Sequence, residues 1–490
     1  MTDIRTTNLR RVPVAAPGII LITIVLAISG CAREVVEEPF EPTESYDSYR
    51  SALTALDLEE TAMGSAWIEV GDERVRDPVS TGTPLREIVY FDPANPDAVT
   101  YLFPVSRGRR IEITIDSEHD RYFADLFRAP NGDPARIDEL VHVATRDTDT
   151  GQIVFEARSN EYYLLRLQPE LLRGGRFDIA IVENAPLAFP VEGAGPGDIW
   201  SFFGDSRDGG ARIHHGVDIF APRGTPVVAV SDSRVIRVGQ RDLGGNVVVL
   251  RDEERDILLY YAHLDEHRTV EGRSVSAGDI IGTMGNTGNA ITTPPHLHIG
   301  VYQGGWRNPV DPWGYFVSPA VTEPTPPEND TLPGQWMVLR NATTATPATP
   351  VPTVATAVVP NRNPFLQGAG DTFTGAELPG DDGFPPPREI RSVAAPAGVA
   401  VQVIGVSGDR ARIRTVTGNH LFIPVDALDI GSATRDARST GSSVVLRDIF
   451  TDDAIGEVSD AGTYQVVGEL SGNSVVQLEN GRIAWMDTSP

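Results

Sequence analysis

The 490-residue sequence contains no lysine: its 41 basic residues are all arginines, and 68 acidic residues outnumber them to give a net charge of −27. Nucleic-acid binding depends on basic side chains that neutralise phosphates, so we expect no nucleic-acid partner. The single cysteine excludes an intramolecular disulfide framework and any metal site built from several cysteines. An apolar run of about 20 residues, the length that a membrane-spanning helix requires, is also lacking.

Length and hydrophobic content point to several folded domains. At roughly 150 residues per domain the chain has room for about three. Hydrophobic residues make up 40% of the sequence, which is enough for several cores and excludes a wholly disordered chain. Short runs with strand periodicity recur along most of the length, so we expect a mainly β, multidomain protein.

The N-terminus has the organisation of a secretory signal. Arg5, Arg10 and Arg11 form a basic region, residues 18–28 form a short apolar region, and the run Ile28-Ser29-Gly30-Cys31 supplies small residues before the sole cysteine. An apolar segment of this length is too short to span a membrane. Residues 1–31 are therefore interpreted as a signal peptide, with an uncleaved N-terminal anchor as the alternative.

The run that ends at Cys31 resembles a bacterial lipobox, in which the cysteine becomes the lipidated first residue of the mature protein. The resemblance implies a membrane attachment through lipid on Cys31 and a lipoprotein of the cell envelope that faces the periplasm. Ala32 follows the cysteine where an aspartate would favour retention in the inner membrane. In a Gram-negative host this implies the outer membrane. Residues 32–60 are polar and acidic and read as a tether.

Residues 61–187 carry strand patterns separated by turn residues. The run 110–115 alternates strictly between polar and apolar positions, and 152–156 and 176–181 have similar patterns. Such alternation indicates strands with one buried face. We expect an N-terminal β-sandwich here, without catalytic residues.

The last third of the chain divides into a linker and a weak repeat. Residues 318–388 hold 14 of the 38 prolines and read as an extended linker, although the segment around Trp336 could form a strand. A pattern that begins at Gln402 returns at Gln465, 63 residues later. The two copies, 389–430 and 431–490, resemble bacterial SH3-like barrels, which implies binding to the wall or to envelope proteins. Two β-hairpin units packed on the catalytic domain are the alternative.

Six of the nine histidines fall between positions 214 and 298. Five of these six, all but His267, occur in three groups: His214-His215-Gly216-Val217-Asp218, Tyr261-Ala262-His263-Leu264 and Pro295-His296-Leu297-His298. On a strand, His296 and His298 would share one face about 7 Å apart, while Leu297 points to the core. A catalytic zinc ion takes three nitrogen or oxygen ligands and leaves one position open, so this cluster predicts a zinc site. Isolated histidines such as His119, His142 and His420 are expected to be surface or hydrogen-bonded residues.

These three groups are similar to the signatures of the lysostaphin/LytM-type zinc endopeptidases, and the resemblance covers residues 188–317. It implies an antiparallel β-sheet with an open groove and one zinc ion. Carried over by position, His214, Asp218 and His298 would be the metal ligands, and His263 and His296 the catalytic histidines.

The resemblance implies an endopeptidase that hydrolyses peptide bonds of peptidoglycan. The alternative is a non-catalytic LytM-type scaffold that activates cell-wall amidases. Such scaffolds have typically lost ligands or catalytic histidines, whereas all five positions are filled here. The sandwich or the Trp336 segment could also lie in the groove and hold an enzyme inactive.

Overall fold

The computed structural model describes most of the chain between residues 45 and 487. The described ranges are 45–130, 139–320, 323–324, 326–327, 329–346, 359–360, 372–373, 393–395, 400–414, 420–429, 436–439, 444–447, 454–458, 463–470, 473–477 and 483–487. The predicted signal peptide, Cys31 and residues 32–44 of the predicted tether lie outside these residues. Among the described residues, no helix has the length and apolar character needed to cross a membrane.

In the first structural region, the described residues between 46 and 184 form two α-helices and nine strands. The helices are α1 (Tyr46–Ala55) and α2 (Ala62–Arg76). The strands are β1 (Val79–Ser80), β2 (Leu85–Phe91), β3 (Val99–Val105), β4 (Arg110–Ser117), β5 (Tyr122–Ala129), β6 (Val141–Thr145), β7 (Gln152–Glu156), β8 (Glu161–Pro169) and β9 (Gly175–Asn184).

Two sheets pack face to face in this region, in agreement with the expected sandwich. One sheet has the strand order β1-β3-β8-β5-β6, and the other contains β2-β9-β4-β7. The alternating apolar residues of both sheets form one core, which includes Tyr101 and Leu165 from the first sheet and Ile113 and Ile179 from the second. The strict alternation in β4 therefore buries one face of that strand, as its pattern predicts.

Helices α1 and α2 lie where the sequence indicated a tether and the start of the sandwich. The segment is acidic overall, but it also contains an apolar spacing typical of a helix. Tyr46 and Leu53 are seven residues apart and therefore lie on one helical face. These two residues pack with Trp67 of α2 against Phe123 of the sandwich. The Trp67 indole also donates a hydrogen bond of 2.7 Å to the Pro169 carbonyl oxygen, which attaches α2 to the end of β8.

A second region, residues 199–317, is built around one antiparallel sheet. Its strands are β10 (Ile199–Ser201), β11 (Ser206–Arg207), β12 (Arg212–Ile213), β13 (Val217–Phe220), β14 (Pro226–Val228), β15 (Ser233–Arg241), β16 (Gly245–Asp252), β17 (Ile257–Leu264), β18 (Ser274–Val275), β19 (Ile280–Thr283), β20 (His296–Gln303) and β21 (Pro309–Val310), followed by helix α3 (Trp313–Phe316). The main sheet has the order β10-β13-β20-β17-β16-β15-β18. Its core face includes Ile219, Tyr261 and Leu297, all fully buried.

The C-terminal region adds further strands. They are β22 (Trp336–Leu339), β23 (Thr343–Ala345), β24 (Val359–Pro360), β25 (Thr372–Phe373), β26 (Val393–Ala395), β27 (Ala400–Ser407), β28 (Arg410–Arg414), β29 (His420–Pro424), β30 (Leu428–Asp429), β31 (Asp436–Ser439), β32 (Val444–Arg447), β33 (Ala454–Val458), β34 (Thr463–Leu470), β35 (Asn473–Gln477) and β36 (Ile483–Asp487). Strands β27, β28 and β29 continue the second sheet of the sandwich, because β27 pairs with β2. Strand β22, which contains Trp336, pairs with β27 and β30.

The predicted repeat is visible in the strand boundaries. Strands β34, β35 and β36 begin 63 residues after β27, β28 and β29, respectively. The pairing of β27 with β28 shifts register between Val403 and Gly405, and the pairing of β34 with β35 shifts register at the matching positions, Val466 and Gly468. The first copy joins the sandwich, whereas the second lies in a separate six-stranded sheet. The SH3-like character of the two units stays a prediction.

A buried ion pair joins the first repeat copy to the sandwich. The Arg412 guanidinium donates two hydrogen bonds of 2.6 Å to Glu87 of β2, and both side chains have no solvent exposure. Beside them His420 contacts Asp97 at 3.1 Å. Burial and the charge of Arg74 lower the pKa of His420 to about 3, so its neutral ring donates to the carboxylate. His420 is thus a hydrogen-bonded interior residue, as expected.

We expect Arg412→Ala to destabilise the sandwich by about 3–5 kcal/mol, because the Glu87 carboxylate would remain buried without its partner. The control is Arg86→Ala, since Arg86 makes a similar pair with Asp178 in the same sheet at 34% and 22% side-chain exposure. That exposed pair should contribute about 1 kcal/mol or less. Urea unfolding followed by circular dichroism measures both; equal losses would contradict a structural role for the buried pair.

Candidate metal centre and its histidines

Strand pairing brings distant parts of the chain into one corner of the main sheet. Strands β13 and β20 run antiparallel, with Asp218 opposite His298 and Phe220 opposite His296. Asp218 and His298 are 80 residues apart in sequence, yet their side chains extend from the same face of the sheet. His214 lies four residues before Asp218, in the turn that leads into β13, and reaches the same point.

Three ligand atoms form a nearly equilateral triangle at this corner. The distances are 3.0 Å from His214 Nε2 to Asp218 Oδ1, 2.9 Å from His214 Nε2 to His298 Nδ1, and 3.0 Å from His298 Nδ1 to Asp218 Oδ1. Tetrahedral zinc with bonds of about 2.0–2.1 Å separates its ligand atoms by about 3.3 Å. Two imidazoles and one carboxylate are also a donor set typical of zinc. The corner fits such an ion with small adjustments, and among the described residues these three are the group that could hold a metal.

Main-chain and side-chain partners orient the first two of these residues. The Nδ1 atom of His214 is 2.7 Å from the Phe202 carbonyl oxygen, which can only accept, so Nδ1 carries the proton and the Nε2 lone pair faces the corner. Arg207 donates to the second oxygen of Asp218 at 2.8 Å. Burial raises the pKa of Asp218, but the adjacent His214 and His298 rings hold that pKa well below its usual range. The carboxylate is therefore ionised.

Two further imidazoles lie beside the corner. The ring centre of His263 is 5.0 Å from that of His296 and 6.1 Å from that of His298. The Nδ1 atom of His263 lies 2.9 Å from the Thr287 carbonyl oxygen, and the Nδ1 atom of His296 lies 2.9 Å from the Pro294 carbonyl oxygen. Both rings consequently keep the proton on Nδ1 when neutral and present Nε2 as an acceptor.

The backbone at His263 has an unusual conformation. Its φ of 62° lies in the left-handed region, which non-glycine residues seldom adopt. The residue is held there by hydrogen bonds from its amide to the Gly244 carbonyl at 2.8 Å and from its ring to Thr287. Strain of this kind is typical of functional sites. Burial and the neighbouring His296 and His298 lower the pKa of His263 to about 4, so the ring is neutral near pH 7.

Gly216 is needed for the close approach of two segments. A Cβ atom at this position would lie 2.5 Å from the Ile299 carbonyl oxygen and 2.7 Å from Cε1 of His298. Any side chain at this position would therefore displace the His298 ring.

The structure brings together His214, Asp218, His263, His296 and His298, the five residues that the motifs singled out. His215 is exposed and does not join the cluster. His142 lies on β6, in the sandwich. As predicted for the His-Leu-His pattern, Leu297 is fully buried between the two histidines.

Sequence reasoning missed a column of rings behind His296. Phe220 stacks on His296 with ring centres 4.9 Å apart, and Trp200 stacks on Phe220 at 4.3 Å. Together with the Pro294 carbonyl, this column restricts the ring plane of His296. Arg207 was missed as well. None of these three residues has a characteristic sequence spacing to the histidines, because their contacts follow from the pairing of β13 with β10 and β20 and from the position of β11.

The comparisons with known proteins agree with this geometry. Residues 212–312 match the model of peptidase family M23. Over 87 residues the chain is 41% identical to the glycyl-glycine endopeptidase ALE-1 of Staphylococcus capitis. This alignment covers 18% of this chain and 24% of that protein. Over 95 residues it is 43% identical to the uncharacterized lipoprotein YgeR of Escherichia coli, covering 19% and 36%.

Among solved structures, the catalytic domain of the antimicrobial peptidase lysostaphin from Staphylococcus simulans is 32% identical, with 23% of this chain and 87% of that chain covered and a TM-score of 0.22. The matched segment spans between a quarter and about a third of the length of the two curated relatives. The chain thus contains an M23 peptidase domain with lysostaphin/LytM-type relatives, as the motifs indicated.

We expect Gly216→Ala to weaken zinc binding by about 10- to 100-fold, because the new methyl group would displace the His298 ring. Competition against a chromogenic chelator measures the affinity. The control is Gly239→Ala, where a Cβ atom would have no neighbour within 4 Å. Equal zinc affinities in the two variants would contradict the importance of this close approach.

Proposed function

We propose that this chain is a zinc-dependent endopeptidase that hydrolyses peptide bonds of peptidoglycan, in stem peptides or cross-links. The observation that supports this most is the convergence of five side chains: a corner of three ligand atoms about 3 Å apart, and two imidazoles whose Nε2 atoms remain available. Relatives of the M23 domain that are named endopeptidases support the reaction class.

In this proposal His214, Asp218 and His298 would hold the zinc ion. Such an ion supplies Lewis-acid chemistry, since it polarises a carbonyl group and makes a water molecule more acidic. The chain supplies the proton transfer. A neutral imidazole with Nδ1 bonded to a main-chain carbonyl can accept a proton at Nε2, and once protonated it can donate from the same atom.

His263 and His296 are therefore the candidates for the proton acceptor and for the donor that stabilises the developing oxyanion. Both are buried, at 8% and 6% exposure, and their rings are fixed by Thr287, Pro294 and Phe220. Fixed donors cost no reorganisation during the reaction, which is what makes such groups effective.

The second candidate is the non-catalytic scaffold that activates cell-wall amidases. Such a role needs the fold but not the reactive groups. The complete and assembled set of five residues favours the enzyme, because nothing in a scaffold would maintain tautomers and ring planes at this corner.

We further propose that lipid on Cys31 attaches the protein to a membrane of the cell envelope, facing the periplasm and, in a Gram-negative host, at the outer membrane. The basic and apolar regions before Cys31 support this, and the relative YgeR is named a lipoprotein. The C-terminal repeats are candidate surfaces for envelope protein partners.

We expect residues 32–490, which lack the signal peptide and Cys31, to bind about one zinc ion and to cleave purified cross-linked muropeptides. His298→Ala should lose both properties, with activity reduced at least 100-fold, because it removes a ligand. Metal analysis and chromatography of the products measure this. His142→Ala, a change at an exposed histidine of the sandwich, serves as the control. Zinc without any cleavage of the muropeptides would contradict the enzyme and favour the scaffold.

For the anchor, we expect Cys31→Ser in the full-length precursor to abolish incorporation of labelled palmitate and to shift the protein out of the membrane fraction. Thioether attachment of the lipid requires the cysteine sulfur, which the hydroxyl does not replace. Ser29→Ala, which keeps Cys31 and a small residue at its position, should behave like the wild type. Retained label in Cys31→Ser would refute lipidation at this site.

A further inference from the structure

A second group of rings lies on the same face of the main sheet as the metal corner. On β20, His298, Gly300 and Tyr302 alternate onto one face. Tyr260 of β17 lies directly opposite Gly300 in the register, so its side chain is on that face too. The two tyrosines therefore extend the surface that begins at His298.

These rings form a continuous path that ends in an exposed indole. The ring centre of Tyr260 is 5.9 Å from that of His298 and 5.9 Å from that of Trp306. Trp306 also lies 5.0 Å from Tyr302. Tyr302 is 9% exposed, whereas Trp306 is 47% exposed. Among the described residues, Trp306 is the one aromatic side chain in the set of exposed large hydrophobic residues. Trp306 packs on two tyrosine rings, and one of them, Tyr260, separates it from His298 of the candidate site. An exposed indole held in this way is typical of a ligand contact.

The distance from the corner indicates which part of a wall substrate would reach this indole. Gly300 and Tyr302 lie two and four residues beyond His298, which is roughly 7–14 Å along a strand. An extended peptide whose scissile bond lies at the corner would cover this distance within a few residues. In peptidoglycan a short stem peptide separates the cross-link from the sugar, so the sugar end of the stem falls near Trp306.

The charge of the chain favours the same assignment. With a net charge of −27 the protein has no overall electrostatic attraction for an anionic wall. Stacking of a sugar ring on an indole requires no charge, because it depends on apolar contact between CH groups and the aromatic face. Burial also raises the pKa of Tyr302 to about 12, so this neighbouring hydroxyl remains protonated and can donate to a sugar oxygen.

We propose that Trp306, supported by Tyr260 and Tyr302, is a binding site for a sugar ring of the peptidoglycan glycan at the end of the stem peptide. The site deepens the proposed function and rests on it, since the position of the sugar follows from a scissile bond at the metal corner. It makes Trp306 a residue that selects sugar-bearing substrates over free peptides.

The test compares two substrates of the full mature chain: a cross-linked muropeptide dimer with its disaccharides, and the same dimer after an amidase has removed the sugars. Trp306→Ala should raise KM about tenfold for the first substrate, leave kcat unchanged, and alter neither value for the second. Trp306→Phe should recover part of the loss. Val270→Ala, a change at another exposed hydrophobic residue, is the control.

An equal rise in KM for both substrates would overturn the sugar site and assign Trp306 to the peptide, and unchanged values for both would overturn it altogether. A binding experiment separates this result from a failure of the proposed function. A tetramer of N-acetylglucosamine, titrated into the protein, should quench tryptophan fluorescence in the wild type and not in Trp306→Phe. Quenching without any peptidase activity would support the sugar site alone, whereas cleavage without quenching would support the enzyme alone.

Discussion

The candidate site depends on one constraint, the register between β13 and β20. This pairing places Asp218 opposite His298 and Phe220 opposite His296. Because side chains alternate along a strand, a shift of one residue in β20 would turn His296 and His298 into the core and Leu297 toward the corner. The fully buried Ile219 and Leu297 oppose such a shift, so the hydrophobic core of the sheet fixes the geometry of its polar face.

Orientation of the imidazoles comes from a different source, the main chain of the surrounding loops. The carbonyl groups of Phe202, Thr287 and Pro294 each bind an Nδ1 atom, and each thereby decides that Nε2 is the reactive nitrogen of that ring. Strands position His263 and His296, and main-chain carbonyl groups fix the tautomers of all three rings. The path of the backbone at Phe202, Thr287 and Pro294 is therefore part of the arrangement.

The sequence was most informative where the signal is local. Period-two alternation located β4 and the His-Leu-His strand, and the 63-residue repeat located β27 and β34. The five site residues were identified through motifs rather than through their geometry. The pairing of β27 with β2 could not be predicted, because it joins residues more than 300 positions apart and alternation does not name a partner strand. Helix α1 was missed because the acidic residues that precede it, Glu34 to Glu44, dominate the composition of the segment to which it was assigned.

That long-range pairing also determines how the M23 domain is held. The domain begins and ends at one place, since the Leu187 amide donates to the Tyr315 carbonyl at 3.1 Å, and the sandwich continues on both sides of it in sequence. Arg255 of the domain binds Glu156 of the sandwich at 2.8 Å, next to the first residue of β17. His263 lies near the other end of that strand, roughly 20 Å away. This contact between the sandwich and the domain therefore lies at the end of the sheet remote from the histidines.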